Sequence, residues 1–225
     1  SGLIEPAMKG RLTSLLLNDN APRLADAAVE RIKAYAGQPP AFDTLRVPCA
    51  SVAAACSLFS RIATTPLELE AVDLAFEEQA PVVYMRLGGL ASALPERMAR
   101  LRAFVGGGNA AANEADFWRG QNSFAWAPAG WALAKVPISP HALLQVDEAL
   151  AQAGAARVYS VGGHVAWVAW PGDVAALAAL MRSLNLSALL LRGACASPLL
   201  GVHVDAATLA RVKGVLDPDQ RFPAY

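Results

Sequence analysis

Arg46–Ile62 reads RVPCASVAAACSLFSRI, and roughly 90 residues further on Lys135–Leu150 reads KVPISPHALLQVDEAL. Each begins as a short strand ending in Val-Pro, turns through small residues, and continues with apolar residues at helical spacing. In the first copy Leu45, Val47 and Cys49 alternate with Thr44, Arg46 and Pro48, the period of a half-buried strand. A proline there belongs at the last residue of the strand or at a sheet edge, because it cannot donate to the ladder. Ser51 and Ser139 stand where a hydroxyl accepts from the first turn of the helix that follows.

The likeness extends outward. The first copy continues with LELEAVDL (Leu67–Leu74) and VVYMRL (Val82–Leu87). The second continues with RVYSV (Arg157–Val161) and HVAWVAW (His164–Trp170), joined by a Gly162-Gly163 pair that reads as a tight hairpin. Helices are predicted next over Pro95–Phe104 and Asp173–Leu184. The second copy closes on ALLLRG (Ala188–Gly193), whereas the first has Gly106-Gly107-Gly108 in the equivalent place. Its fourth strand is therefore expected to have failed, leaving the glycines as a connector.

Strand–helix–strand–strand–helix–strand is the order of the ferredoxin-like split βαβ unit. The fold expected is α+β: duplicated ferredoxin-like units, about 42–112 and 131–194, in one antiparallel sheet with helices on one face. Residues 1–40 predict an N-terminal helical segment (Ala7–Leu17 and Ala21–Tyr35), ended by Gly37-Gln38-Pro39-Pro40. Residues 41–225 form the remaining domain, with a C-terminal helix and tail over 205–225. Between the copies, Glu114–Gly120 predicts a further helix.

Composition excludes several classes of function. Nineteen basic and nineteen acidic residues cancel, so no nucleic-acid footprint is expected. No apolar run approaches the ~20 residues of a membrane helix, and Ser1–Gly10 lacks the pattern of an export leader. At 55% hydrophobic and 17% charged, the chain is rich in apolar residues. That predicts a partner or a homo-oligomer covering part of its surface. Cys49, Cys56 and Cys195 are odd in number and set among apolar neighbours, as expected of buried thiols in a reducing cytoplasm.

No nucleotide fingerprint is complete. Gly106–Gly108 is not followed by Lys-Ser or Lys-Thr, and it lacks the spaced glycines of a dinucleotide turn. His141, His164 and His203 are too scattered for a metal site; His203, alternating with Val202 and Val204, is the best single candidate among them. Arg192 ends an apolar strand and opens into a loop, a position suited to a carboxylate or phosphate. The alternative for it is an ordinary ion pair with Asp173 or Asp205. Of the five tryptophans, Trp167 and Trp170 lie three apart on a strand and so face opposite sides. Trp118, Trp126 and Trp131 bracket the middle of the chain, where Trp126 in SFAWAPAG is placed to form an aromatic wall.

The ending ARVKGVLDPDQRF, preceded in order by DFWRGQNSF, WALAKVPISP, the Gly-Gly hairpin and ALLLRGA, resembles the C-terminal half of FAD-linked oxidases of the vanillyl-alcohol oxidase superfamily. It is most similar to the FAD-binding E subunit of glycolate oxidase. The resemblance implies a cap domain that roofs a flavin and contributes contacts to a small 2-hydroxyacid. Arg192, His203 and Trp126 would then lie on the substrate side, and Asp217, Pro218 and Phe222 near the cofactor. Gln220 and Pro223-Ala224-Tyr225 depart from the family's Asp-Pro-x-Gly-x-Phe-Asn-Pro-Gly. The family's glycine-rich flavin domain has no counterpart in Leu3–Gln38. FAD is accordingly expected to need a flavin domain or other oxidase subunits, against which Phe222 and Tyr225 would be covered. The alternative is a non-catalytic ferredoxin-like module for ligand binding or assembly.

Overall fold

The computed structural model describes residues 41–202 and 206–221. The expected helices of residues 1–40, together with His203, Asp205, Phe222 and Tyr225, lie outside the described residues.

Fifteen regular elements follow in order: β1 (Ala41–Pro48), α1 (Val52–Ile62), β2 (Ala71–Glu77), β3 (Ala80–Gly89), α2 (Leu94–Val105), β4 (Asn109–Ala110), α3 (Glu114–Asn122), β5 (Ala132–Pro137), α4 (Leu143–Gln152), β6 (Ala156–Ser160), β7 (Val165–Trp170), α5 (Val174–Ser183), β8 (Ser187–Arg192), β9 (Leu199–Gly201) and α6 (Ala206–Leu216). No helix among the described residues is long and apolar enough to cross a membrane.

Local chemistry sets the boundaries. Pro48 ends β1 as expected, and Ser51, in an extended conformation, accepts from Ala54 N–H at 3.1 Å to start α1. Asp173 does the same for α5 through Ala175 N–H, at 3.0 Å. Ser139 instead closes the turn before α4, where it accepts from Ala142 N–H at 3.3 Å. β2 begins at Ala71 rather than Leu67, because Glu68 has a φ of 48° that no strand allows. Glu78 and Gln79, with φ of 49° and 72°, make the two-residue hairpin between β2 and β3.

The nine strands form one antiparallel sheet in the order β4-β1-β3-β2-β6-β7-β5-β8-β9. About the β2–β6 contact, the first four strands and the next four read as mirror orders of each other. The halves meet at a single bridge, Leu74 opposite Tyr159.

Two expectations need correction. The fourth strand of the first half has not failed: Asn109–Ala110 pairs with Leu45 and Arg46. The glycines ahead of it bring the chain against β1, since a Cβ on Gly108 would stand 2.9 Å from Arg46 O and from Val47 Cγ2. The second half carries an additional edge strand, β9. It is admitted by Gly201, where φ is 79° and a Cβ would fall 2.1 Å from Leu186 O.

The helices are not confined to one face. Strand alternation puts Leu45, Leu74, Met85, Val136, Tyr159, Val168 and Leu190 on one side. There they form a single core with Leu58 and Phe59 of α1, Leu101 of α2, Leu143 and Leu150 of α4, and Leu177 and Met181 of α5. The other side carries a smaller cluster, Ala75, Val82, Tyr84 and Val158, roofed by Trp118 of α3. Leu189, Leu191 and Leu199 remain 40%, 46% and 39% exposed. Leu189 and Leu191 alternate with buried Ala188 and Leu190, so they too belong to this open side.

Candidate functional site

The most unusual chemistry lies where the two halves meet. Beyond the Leu74–Tyr159 bridge β6 leaves the sheet at Ser160 and enters a short 3₁₀ turn, Val161–Gly163. Val161 has a φ of 56°, a conformation that a β-branched residue adopts only under strain, and its side chain is exposed. Opposite it stands Asp73 on β2, 8% exposed. Burial pushes its carboxyl up to about 7, against the opposing pull of the Val161 backbone N–H. The next residues on the same side of β2 are Ala71 and Ala75, so small neighbours leave room beside a group poised between protonation states near neutrality.

Asp73 opens into a cleft of about 360 Å³ on the α3 side of the sheet. Trp118, Phe124, Trp126 and Trp167 wall it, and Arg86, Gln121 and Ser160 complete it. Phe124 is itself at φ 57°, a second bulky residue in a left-handed conformation. That turn brings its ring to 5.1 Å from Trp167 and 6.3 Å from Trp126, centroid to centroid.

Most of the polar groups around the cleft are already engaged. Trp118 Nε1–H donates to Thr44 Oγ1 at 2.9 Å, and Trp167 Nε1–H donates to Ser160 Oγ at 2.8 Å. Arg86 donates from Nε to Glu114 Oε1 at 2.6 Å and lies 3.9 Å over the Phe42 ring. One group is left over. Gln121 Oε1 is buried, and it finds no hydrogen-bond partner among the described residues.

A second cleft of about 420 Å³ opens on the other side of Asp73, next to Val161 and Gly162. Phe59, Ile62, Leu67 and Leu69 give it an apolar wall, and Glu68, Glu70 and His164 stand at it as well. It shares Asp73 but presents no unpaired buried side chain, so the aromatic cleft is the stronger site.

The residues singled out in the sequence are not gathered in one place. Trp126 does line the aromatic cleft. Arg192 lies at the end of β8 away from it; the guanidinium is exposed and donates to Trp131 O at 2.9 Å and Pro128 O at 3.3 Å. The alternative pairing with Asp173 does not form, since that carboxylate caps α5. Asp217 is buried beside Lys213 and accepts from Arg221 N–H at 2.7 Å, so the Leu-Asp-Pro turn with Pro218 closes upon itself. His141 and His164 are exposed. So is Cys195, contrary to the expectation of three buried thiols; Cys49 and Cys56 are half-buried, and burial raises both above the usual thiol range. Among the described residues no group of three His, Cys, Asp or Glu is placed to hold a metal ion.

The glycine triplet answers the question of a flavin diphosphate. Gly106 caps the C-terminal end of α2 with a φ of 84°. A helix C-terminus presents carbonyl oxygens and a partial negative charge, the wrong polarity for phosphate. The triplet is therefore not a phosphate cradle of that kind.

Asp73, Gln121 and Ser160 were not singled out in the sequence. The available signal was Asp73 itself, a carboxylate inside the strand AVDLAF with alanine two residues to either side. Comparison with models of known protein families and with curated proteins finds no match for this chain.

Proposed function

We propose that the chain is the cap portion of a glycolate oxidase-like, FAD-linked 2-hydroxyacid oxidase or dehydrogenase, built from duplicated ferredoxin-like units. It works with a flavin domain or other oxidase subunits that supply the cofactor. The observation that carries this reading is the asymmetry of the sheet. Four helices seal one side, while the other exposes Leu189, Leu191 and Leu199 and opens an aromatic cleft. An apolar, incompletely roofed sheet is a surface made to be covered. The mirrored strand order supports the duplication, each half repeating strand–helix–strand–strand–helix–strand.

In this reading the flavin, held elsewhere, supplies the redox chemistry. The residues of this chain bind and orient the acid. Arg192, fixed by two backbone carbonyls at the end of β8, is the anchor for the substrate carboxylate. Two measurements test the proposal. FAD added to the purified chain should leave the flavin absorbance spectrum unchanged. Glycolate or lactate should raise the melting temperature, and Arg192→Ala should abolish the rise. Indifference to both acids would overturn the substrate assignment, and a shifted flavin spectrum would overturn the division of labour.

The second reading is a ligand-binding module without catalysis. What favours it is the unpaired Gln121 Oε1 in an aromatic cleft whose cation, Arg86, is already matched by Glu114.

A further inference from the structure

Asp73 also lines the second cleft, the one beside Gly162, and the chemistry there suits a cation. β2 is paired with β6 at Leu74 alone, so past that bridge the edge of Ala71–Asp73 has no strand beside it. The cleft of about 420 Å³ lies between this edge and the Val161–Gly163 turn. It is open at the turn, where a Cβ on Gly162 would meet nothing within 4 Å. Its ionisable lining is Asp73, Glu68, Glu70 and His164, and neither lysine nor arginine lines it. Arg97 reaches the rim only as an ion pair with Glu68 at 3.9 Å, its guanidinium being bound to the carbonyls of Leu67, Glu68 and Gly88. Asp73 is the buried member of the set, at 8% exposure. Among the described residues the Val161 backbone N–H is the one donor that acts on it, and no cation does. A carboxylate accepts about four hydrogen bonds, so most of that capacity is unspent next to an apolar wall.

We propose that this cleft binds a small primary amine that carries an apolar group. The ammonium donates to Asp73, and the apolar group lies against Phe59, Ile62, Leu67 and Leu69. An ammonium brings both charge and donors to a buried carboxylate that lacks them, which removes part of the cost of its burial. Glu68 and Glu70 are exposed; they draw cations toward the cleft and add little to affinity. No three such groups gather to hold a metal ion among the described residues, which leaves the organic cation. The assignment stands apart from the oxidase reading, since this cleft repels the carboxylate of a 2-hydroxyacid and uses neither Arg192 nor the flavin-bearing partner.

The test is isothermal titration calorimetry of the intact chain with 2-phenylethylamine at pH 8, where the ammonium is charged and Asp73 is above its value of about 7. Saturable binding is expected. 2-Phenylethanol, with the same ring and no charge, and phenylacetate, with the opposite charge, should each bind at least ~10-fold more weakly, the factor that about 1.4 kcal/mol gives. Asp73→Asn should weaken the amine by at least that factor and leave the alcohol unchanged. The proposal is overturned if the amine gives no saturable heat in the millimolar range. It is equally overturned if the alcohol or phenylacetate binds as well as the amine in the unaltered chain, a comparison that needs no variant to fold. Undiminished binding to a folded Asp73→Asn chain overturns it too, and places the amine on the exposed Glu68 and Glu70.

Discussion

The two sides of the sheet each carry an arginine, a carboxylate and a tyrosine, and the same three groups do different work on each. On the helix-clad side, Asp147 of α4 takes a forked contact from Arg157, at 2.5 and 3.1 Å, and the hydroxyl of Tyr159 at 2.8 Å. The Arg157 and Asp147 side chains are 9% and 11% exposed, and Phe76 from the other half of the molecule packs 4.2 Å from the guanidinium carbon. On the open side, Arg46, Glu77 and Tyr84 repeat the pattern, but the Arg46 and Glu77 side chains are 30% and 41% exposed. Burial decides the difference. In the first cluster each member is indispensable to the others once water is gone; in the second, water can replace any of them.

Removing the carboxylate in each place breaks this comparison most directly. Asp147→Ala leaves the Arg157 guanidinium buried and uncompensated and the Tyr159 hydroxyl without its acceptor. It should cost ~3–5 kcal/mol, read as a lower midpoint in urea denaturation. A loss below about 1 kcal/mol would mean that water reaches this cluster as freely as the other.

Asp73 sharpens the contrast from the opposite direction, being a carboxylate that burial does not compensate. Its folded value of about 7 lies above the ordinary 3.8. The folded state therefore holds the proton more tightly than the unfolded chain does, and stability falls as pH rises from about 4 through about 7. The ceiling on this penalty is about 4 kcal/mol. Asp73→Asn, which cannot ionise, should stabilise the protein by ~1–3 kcal/mol at pH 8 and by little at pH 4. Paired denaturation curves at the two values decide it; an equal effect at both would place Asp73 in an aqueous setting. A stability cost retained at one position is what a binding or catalytic site leaves behind.

How far all this could be read beforehand depends on the range over which each signal acts. Helix α1 was legible because Ser51 declares its first turn locally, and the opposed faces of Trp167 and Trp170 follow from strand period alone. Trp170 is in the core, while Trp167 is half-buried in the cleft. β9 and β4 were not legible, since three and two residues hold no periodicity, and Gly201 is needed only because Leu186 passes so close. Nothing in EADFWRGQN says which side of a sheet it covers. That choice is made at long range, when Trp118 finds Thr44 and Glu114 finds Arg86. The cleft was only partly visible for the same reason. Trp126 announced itself as an aromatic in a loop, but Gln121 and Asp73 become remarkable as a pair only once two halves of the chain meet.

The smallest effect belongs to the exposed member of the comparison. The Arg46 hydrogen bond holds the Glu77 carboxyl down at about 2, against burial, with help from the Tyr84 hydroxyl. Tyr84 in turn is pushed up to about 12 by burial and by that carboxylate. A depressed folded value means that the stabilisation is complete above the ordinary carboxylate range near 4.5 and is lost as pH falls toward 2. Because the Glu77 side chain is 41% exposed, solvent screening reduces its worth to less than about 1 kcal/mol. Glu77→Gln should therefore cost no more than that at pH 7, and the gap should close as the buffer approaches pH 2. It should also shrink in ~1 M salt, where the screening length is about 3 Å, whereas the Asp147→Ala deficit should persist because mobile ions cannot enter its site. If the two deficits respond to salt alike, burial is not what separates the clusters.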